Sequence, residues 1–473
     1  MGEEQVWNRQ PKAVEGFMRT DQFKQAIAKW RGQGLMGLLA VMALAFGASP
    51  ARAVPAFAVQ TGQPCQACHI GGFGPQLTAY GREFKIGGYT TRSGSFNVPL
   101  SVMAVASFVH TQKDQPPPPP PGFGVNDNVP LDQVSVFFAG GFGSHFGAFV
   151  QTTYDGIGKA FTWDNTDLRA VTTTQIGGAN VVLGASLNNN PTVQDVWNTT
   201  PAWGFPYTGS ALAPGGGASP MISGALAQTS IGLTGYAWIN SEIYLEGGAY
   251  WSPSASALTH LGADPFGFGS IRGGAPYGRV AFQKKFDTSN FEIGAFIMQA
   301  DIYPMRIQDS GTDGYLDVGV DGSYQQTLAN SDVITFNARY INEQQTLNAS
   351  SSEEIGAAAN DKNSLNEVRA DASYYWHNKI GFTVQGFSDT GSADEGLYGG
   401  NRTLKPDTSG VMLQVDGTPW GAGNSPFGAR FNVRVGLQYT AYTQFNGASS
   451  NYDGAGANAS DNNTLRVFTW IAF

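Results

Sequence analysis

From about residue 95 to the C-terminus, apolar and polar residues alternate in short runs broken by clusters of Gly, Asn, Asp and Ser. Period-two alternation is the signature of a strand whose two faces meet different surroundings. Such runs fall at 100–110, 134–140, 146–154, 160–173, 180–186, 227–239, 242–251 and 277–286. They continue at 291–300, 314–325, 333–342, 365–377, 380–387, 410–416, 429–442 and 464–473, sixteen in all. Short breaks (Gly140–Ser144, Asn240–Ser241, Asp287–Asn290, Leu328–Asp332, His377–Lys379) tend to alternate with long ones near 112–129, 188–222, 252–275, 301–313, 343–363, 388–409 and 444–462. The break at Asp155–Lys159 is shorter than this rhythm requires. Short turns at one end and long loops at the other belong to outer-membrane barrels. An all-β transmembrane barrel of about 16 antiparallel strands over 93–473 is therefore predicted. An even count leaves both chain ends of the barrel on the periplasmic side.

Composition agrees. Only 13% of residues are charged, against 62 Gly and 12% aromatics, at an ordinary 41% hydrophobic content. Soluble domains carry about 25% charged residues, whereas a barrel dilutes its hydrophobicity over alternating faces. The last run places Leu465, Val467, Thr469, Ile471 and the terminal Phe473 on one face, and Tyr250, Trp251 and Trp470 are candidates for an aromatic girdle. An edge strand of a soluble sandwich is the poorer explanation for so many runs. Val196–Tyr207, with Trp197, Trp203, Phe205 and Tyr207, shows no strand pattern. It either folds into the barrel or forms an outer cap. Pro116–Pro121 reads as a stiff polyproline II spacer.

Residues 34–48 form a short apolar run preceded by Lys24, Lys29 and Arg31 and followed by Ala51-Arg52-Ala53, the order of a secretory signal. Residues 1–53 thus read as a signal peptide with an extended leader, unless translation starts at Met18. Removing it takes seven basic and four acidic residues from totals of 27 and 36, so the remainder is more acidic. Nucleic-acid binding, which needs a basic patch, is not indicated.

The two cysteines of the chain lie in Pro64-Cys65-Gln66-Ala67-Cys68-His69, the C-x-x-C-H attachment pattern of c-type haem. Two thiols reach the two vinyl groups of one porphyrin, and His69 is placed as the proximal iron ligand. A thioredoxin-like site needs a βαβ context, and a zinc site needs further ligands. A disulfide would leave His69 unexplained. Residues 54–92 are therefore assigned as a small, mainly helical or coil monohaem cytochrome c segment carrying one haem c. This segment contains no Met and no second His, the usual sixth ligands. Strand parity turns Met103 toward the lumen beside Ser101 and Ser107, which makes it the first distal candidate, with His110 second. Met298 and Met412 also face inward, and Lys85 and Tyr80 are less common alternatives within the segment.

A leader, a haem segment of about forty residues and a barrel of about sixteen strands resemble the fused monohaem cytochrome–porins that include outer-membrane iron(II) oxidases. The residues carrying the likeness are Pro64-Cys-x-Ala-Cys-His69 and Leu77-Thr-Ala-Tyr-Gly-Arg-Glu-Phe-Lys-Ile-Gly-Gly-Tyr89. The resemblance implies an electron conduit in the bacterial outer membrane, an iron(II):cytochrome c oxidoreductase if an enzyme. Extracellular iron(II) would be the donor and a soluble periplasmic cytochrome the acceptor, with the haem segment entering from the periplasm and the barrel in contact with membrane lipid. Acidic loop residues such as Glu353, Glu354, Asp394 and Glu395 either gather cations or are simply solvated. Two other functions stay open: electron transfer with another donor or outward, and a diffusion porin with a haem-bearing plug.

Overall fold

The computed structural model describes residues 56–94, 99–423, 425–427 and 431–473. The expected leader, 1–53, lies outside the described residues. Sixteen antiparallel strands close into one barrel: β1 Leu100–Thr111, β2 Leu131–Phe142, β3 Phe146–Asp155, β4 Ala160–Ile176, β5 Ala179–Asn188, β6 Ile231–Ile239, β7 Ile243–Trp251 and β8 Ala275–Lys285. The second half is β9 Ser289–Tyr303, β10 Asp313–Thr327, β11 Val333–Thr346, β12 Lys362–Trp376, β13 Ile380–Gly391, β14 Thr408–Gly417, β15 Asn432–Gln444 and β16 Thr464–Ala472. Each strand pairs with its sequence neighbours, and β1 pairs with both β2 and β16 (Met103 opposite Ala472, Val105 opposite Trp470), which closes the ring. A further two-residue strand, Ser270–Ile271, pairs with the end of β9.

Alternation decides which face each residue takes. On β10 and β11, Val318, Val320, Phe336 and Tyr340 stand exposed on the outside. Their neighbours Asp317, Asp321, Thr335 and Asn337 are buried within. Leu413 of β14 is likewise 51% exposed on the outside. Side chains of this kind over the outer wall form the apolar band that lipid covers in a transmembrane barrel. No described helix is long and apolar enough to cross a membrane. The closed sheet with its apolar outer band is the architecture of porin-like barrels of the bacterial outer membrane, which cross with strands.

All sixteen expected strands are present, most of them extended by a few residues. The strand expected from 227 starts at Ile231, because residues 227–230 belong to the preceding turns. One end of the barrel carries the long loops, with the short turn 156–159 among them. The other end carries tight turns and one departure from the expected rhythm, the connection 418–431 between β14 and β15. Trp470 is also not part of the girdle. On β16 it shares the parity of Arg466 and Phe468, and it is buried on the inner face. Trp251 is exposed and Tyr250 is buried, as adjacent residues of one strand must be.

Candidate functional site

The N-terminal segment 56–94 enters the barrel at its tight-turn end. It contains helices α1 Ala56–Thr61, α2 Cys65–Cys68 and α3 Ala79–Ile86. Few of its residues are apolar in a periodic way, because the lumen it occupies is polar and side-chain hydrogen bonds hold it there. Gly71 N donates to Asn378 Oδ1 of the β12–β13 turn (2.6 Å). Arg434 Nη1 donates to Phe73 O (2.8 Å), Gln76 Nε2 to Thr335 Oγ1 (3.1 Å) and Arg82 Nη2 to Asn290 Oδ1 (2.5 Å). Tyr89 donates to Asp167 at 2.7 Å.

The motif fixes its own local geometry. Thr78 caps α3 by accepting from Gly81 N, while its hydroxyl donates to Ala67 O (2.6 Å) and its N–H to Cys68 O (2.9 Å). These bonds lay α3 directly on the cysteine turn. A Cβ on Gly81 would stand 2.3 Å from Cys68 O, so the contact tolerates only glycine. On the other side, Gln66 N donates to Gly421 O at 3.0 Å. Gly72, at φ +70°, packs on Gly421 so closely that a Cβ would meet its Cα at 2.9 Å. Gly421, in the connection that follows β14, thus seats the motif.

The long loop between β5 and β6, residues 189–230, folds into the lumen and meets the segment there. Trp197 is buried against Trp238 and Tyr244, and its Nε1 donates to Gln283 Oε1 (2.8 Å). Asp195 faces Arg279 (3.4 Å), which also holds Glu292 (3.3 Å) and Asp321 (2.8 Å). Further along, Gln385 Nε2 donates to Phe205 O, Arg466 Nη1 to Thr208 O and Tyr442 Oη to Pro214 O. Met221 N and Ile222 N donate to Glu343 and Asp317. Of the two readings of Val196–Tyr207, the inward fold is the one observed. Lys85 of α3 ties loop to segment, donating to Val193 O and Asp195 O at 2.7 Å each and lying 4.8 Å over the Trp203 ring.

Between these parts lies a cavity of about 390 Å³, within the range of small-molecule and cofactor sites. Cys65, Cys68 and His69 all line it, together with Phe73, Phe84, Val102, Met103, Phe137, Trp203, Tyr207 and Trp470. The two thiols are free, and burial pushes both up, Cys68 to about 11. Burial lowers His69 to about 4, so its imidazole is neutral near pH 7 and able to bind a metal. Its Nδ1 is buried and makes no well-formed hydrogen bond.

The donor set fits a c-type haem. Two thiols and one neutral imidazole share a cavity whose further lining is rich in apolar and aromatic side chains. Cys65 and Cys68 would carry the thioethers and His69 the iron.

The other sequence candidates fall in different places. Met103 is on the cavity. His110 has the opposite parity and sits at the long-loop end of β1, its Nδ1 2.7 Å from Asp127 Oδ1. Strand periodicity therefore keeps it away from the cavity. Lys85 lines the cavity but its ammonium is engaged, and Tyr80 is 38% exposed outside it. Met298 is fully buried in the apolar cluster around Met221 and Ile222, and Met412 lies half-buried on β14. Asp394 caps loop backbone, accepting from Ala359 N, Asn360 N, Gly396 N and Leu397 N, whereas Glu353, Glu354 and Glu395 are exposed. Sequence reasoning missed Trp470, Asn378, Arg434 and the 418–431 connection. The parity of β16 was the available signal for Trp470.

No family model and no curated protein matches the chain. Among solved structures it is similar to an anion-selective porin from Comamonas acidovorans, at 10% identity over 79% of this chain and 98% of that one, TM-score 0.43. It is also similar to the outer-membrane channel DcaP of Acinetobacter baumannii, at 11% identity over 82% and 99%, TM-score 0.45. A third is Pseudomonas putida OprB, at 12% identity over 79% and 93%, TM-score 0.43. At these scores the fold rests on the chain's own closed sheet.

Proposed function

We propose that this barrel is an outer-membrane electron conduit carrying one c-type haem inside its lumen, with extracellular iron(II) as donor and a soluble periplasmic cytochrome as acceptor. The observation that carries the reading is the meeting of Cys65, Cys68 and His69 on one cavity within the barrel. When bound, the haem supplies a one-electron couple inside a wall that otherwise insulates the two compartments. The chain's residues do the rest. Cys65 and Cys68 anchor the group, and neutral His69 presents its imidazole. Phe73, Phe137 and Trp203 give the cavity an aromatic wall against which a porphyrin would rest. The segment's attachment at the tight-turn end keeps the motif near the side from which a periplasmic acceptor would approach. The iron donor follows from the family resemblance and from an acidic chain, net −9, whose field favours cations.

A reduced-minus-oxidised absorption spectrum of the purified full chain, titrated with iron(II), tests the reading. Covalent haem that iron(II) reduces supports it. A colourless chain with two titratable thiols, made in cells competent for cytochrome maturation, refutes it. A haem-loaded chain inert to iron(II) at every pH tried removes the donor alone. The polar inner wall favours one second reading, a channel whose segment is a plug. Solute flux into liposomes that is large and unchanged by Cys65→Ala would establish that instead.

A further inference from the structure

We propose that Met103, on the first barrel strand, is the distal ligand of the group carried by Cys65, Cys68 and His69. Trp470, on the last strand, is its positioning residue, holding the thioether through an indole N–H bond. The inference rests on the haem reading above and deepens it: the coordination sphere is split between the N-terminal segment and the seam of the barrel.

Elimination on the cavity wall leads there. Besides the motif, the thioether, amine, phenol and carboxylate side chains on the lining are Met103, Lys85, Tyr89, Tyr207, Asp164 and Asp195. The Lys85 ammonium is spent on two carbonyls, and the Tyr89 hydroxyl on Asp167. Asp164 accepts from Thr153 (2.7 Å) and Gln228 (3.1 Å), and Asp195 faces Arg279. Tyr207 would have to bind as phenolate, which its burial disfavours strongly. Met103 has no such obstacle, since a thioether binds iron without losing a proton.

Its placement is also built. Met103 is 9% exposed, and Trp470 Nε1 approaches its Sδ at 3.1 Å. The pairing of Met103 with Ala472 sets Trp470 two residues along the same inner face, at diagonal reach. Phe73, four residues after His69, packs on the Trp470 ring at 4.8 Å between centroids. The motif and the thioether are thus held by one aromatic contact. A thioether sulfur has two lone pairs: the indole takes one and leaves the other for a metal. An N–H donor on that sulfur withdraws electron density, which favours the ferrous state and raises the potential.

The test uses the full chain, with covalent haem quantified first by pyridine haemochrome. Absence of covalent haem in the unmodified chain overturns the haem reading, and this assignment falls with it. With haem attached, the oxidised protein should show the near-infrared thioether-to-iron charge-transfer band. Met103→Ala should abolish that band, and Met103→His should give a bis-imidazole spectrum with a lower midpoint. Trp470→Phe should keep the band and lower the midpoint by about 59 mV, a tenfold change in the one-electron ratio at fixed potential. Should the alanine variant fail to insert, Met103→Leu keeps the volume and gives the same readout. A band that is absent from the haem-loaded unmodified chain, or that survives loss of Met103, overturns the proposal. Axial signatures that change in Tyr207→Phe and in no Met103 variant overturn it in favour of the phenol.

Discussion

Replacing Lys85 by Met isolates the tie between the N-terminal segment and the inward loop. The ammonium donates two bonds of 2.7 Å, to Val193 O and Asp195 O. Burial lowers the Lys85 amine to about 7, so each bond contributes about 1.5 kcal/mol, where the neutral and charged ranges meet. One acceptor is not orphaned, because Trp203 Nε1 also donates to Val193 O at 2.6 Å. Met fills most of the vacated volume with a flexible apolar chain. The net loss is therefore about 3 kcal/mol, which favours local opening by about 10²-fold. The barrel wall should feel it less, since both hydrogen bonds of the amine go to the loop, whereas the bond from the strand residue Arg169 is to the Lys85 backbone carbonyl. Hydrogen exchange read by mass spectrometry on the lipid-embedded protein distinguishes the two. Amides in 189–205 should lose about 10²-fold protection, and those of β10 and β11 should keep theirs. Protection within twofold of the unmodified chain in 189–205 would refute the tie. Equal loss in the strands would show that the segment and the wall are one cooperative unit.

Three further outcomes follow from the same reasoning. Arg279→Met strands Asp195, Glu292 and Asp321 without their shared cation, and should cost about 3–5 kcal/mol in urea unfolding, partly recovered by adding Asp321→Asn; no recovery would refute the shared role. Val320→Arg puts a charge on the lipid face near the middle of β10, and should destabilise by about 2–4 kcal/mol in phospholipid vesicles, while a loss below about 0.5 kcal/mol would contradict the membrane embedding. Gly81→Ala drives a Cβ toward Cys68 O, and should cost about 1–3 kcal/mol in segment docking, measured by proteolysis of 56–94; an unchanged cleavage rate would show that α3 can shift at no cost.

The barrel was legible because each strand lies between lipid and a polar interior, so every second residue reports its face. Parity alone placed Met103 inward, and the same rule, applied to His110 and Trp470, yields the faces on which the structure puts them. The interior was hard to read for the complementary reason. In a polar lumen neither the N-terminal segment nor the 189–230 loop needs an amphipathic stripe. Their contacts are single hydrogen bonds such as Gly71 to Asn378 and apolar contacts from scattered positions, such as Ile86 beside Trp197 and Ile70 beside Tyr375, which leave no period in the sequence. The break between the strands read at 410–416 and 429–442 was visible, but the contacts of Gly421 with Gln66 and Gly72 are made by backbone and carry no side-chain signal.

The cavity has one wall made by the meeting of the first and last strands. Met103 and Trp470 are separated by nearly the whole barrel sequence and become neighbours only when β1 zips to β16. Ring closure, the last step by which a linear ribbon of hairpins becomes a cylinder, is therefore also the step that builds the pocket. A polypeptide lacking its final strand would keep Cys65, Cys68 and His69 and most of its hairpins, yet lose Trp470 and Ala472 from beside Met103.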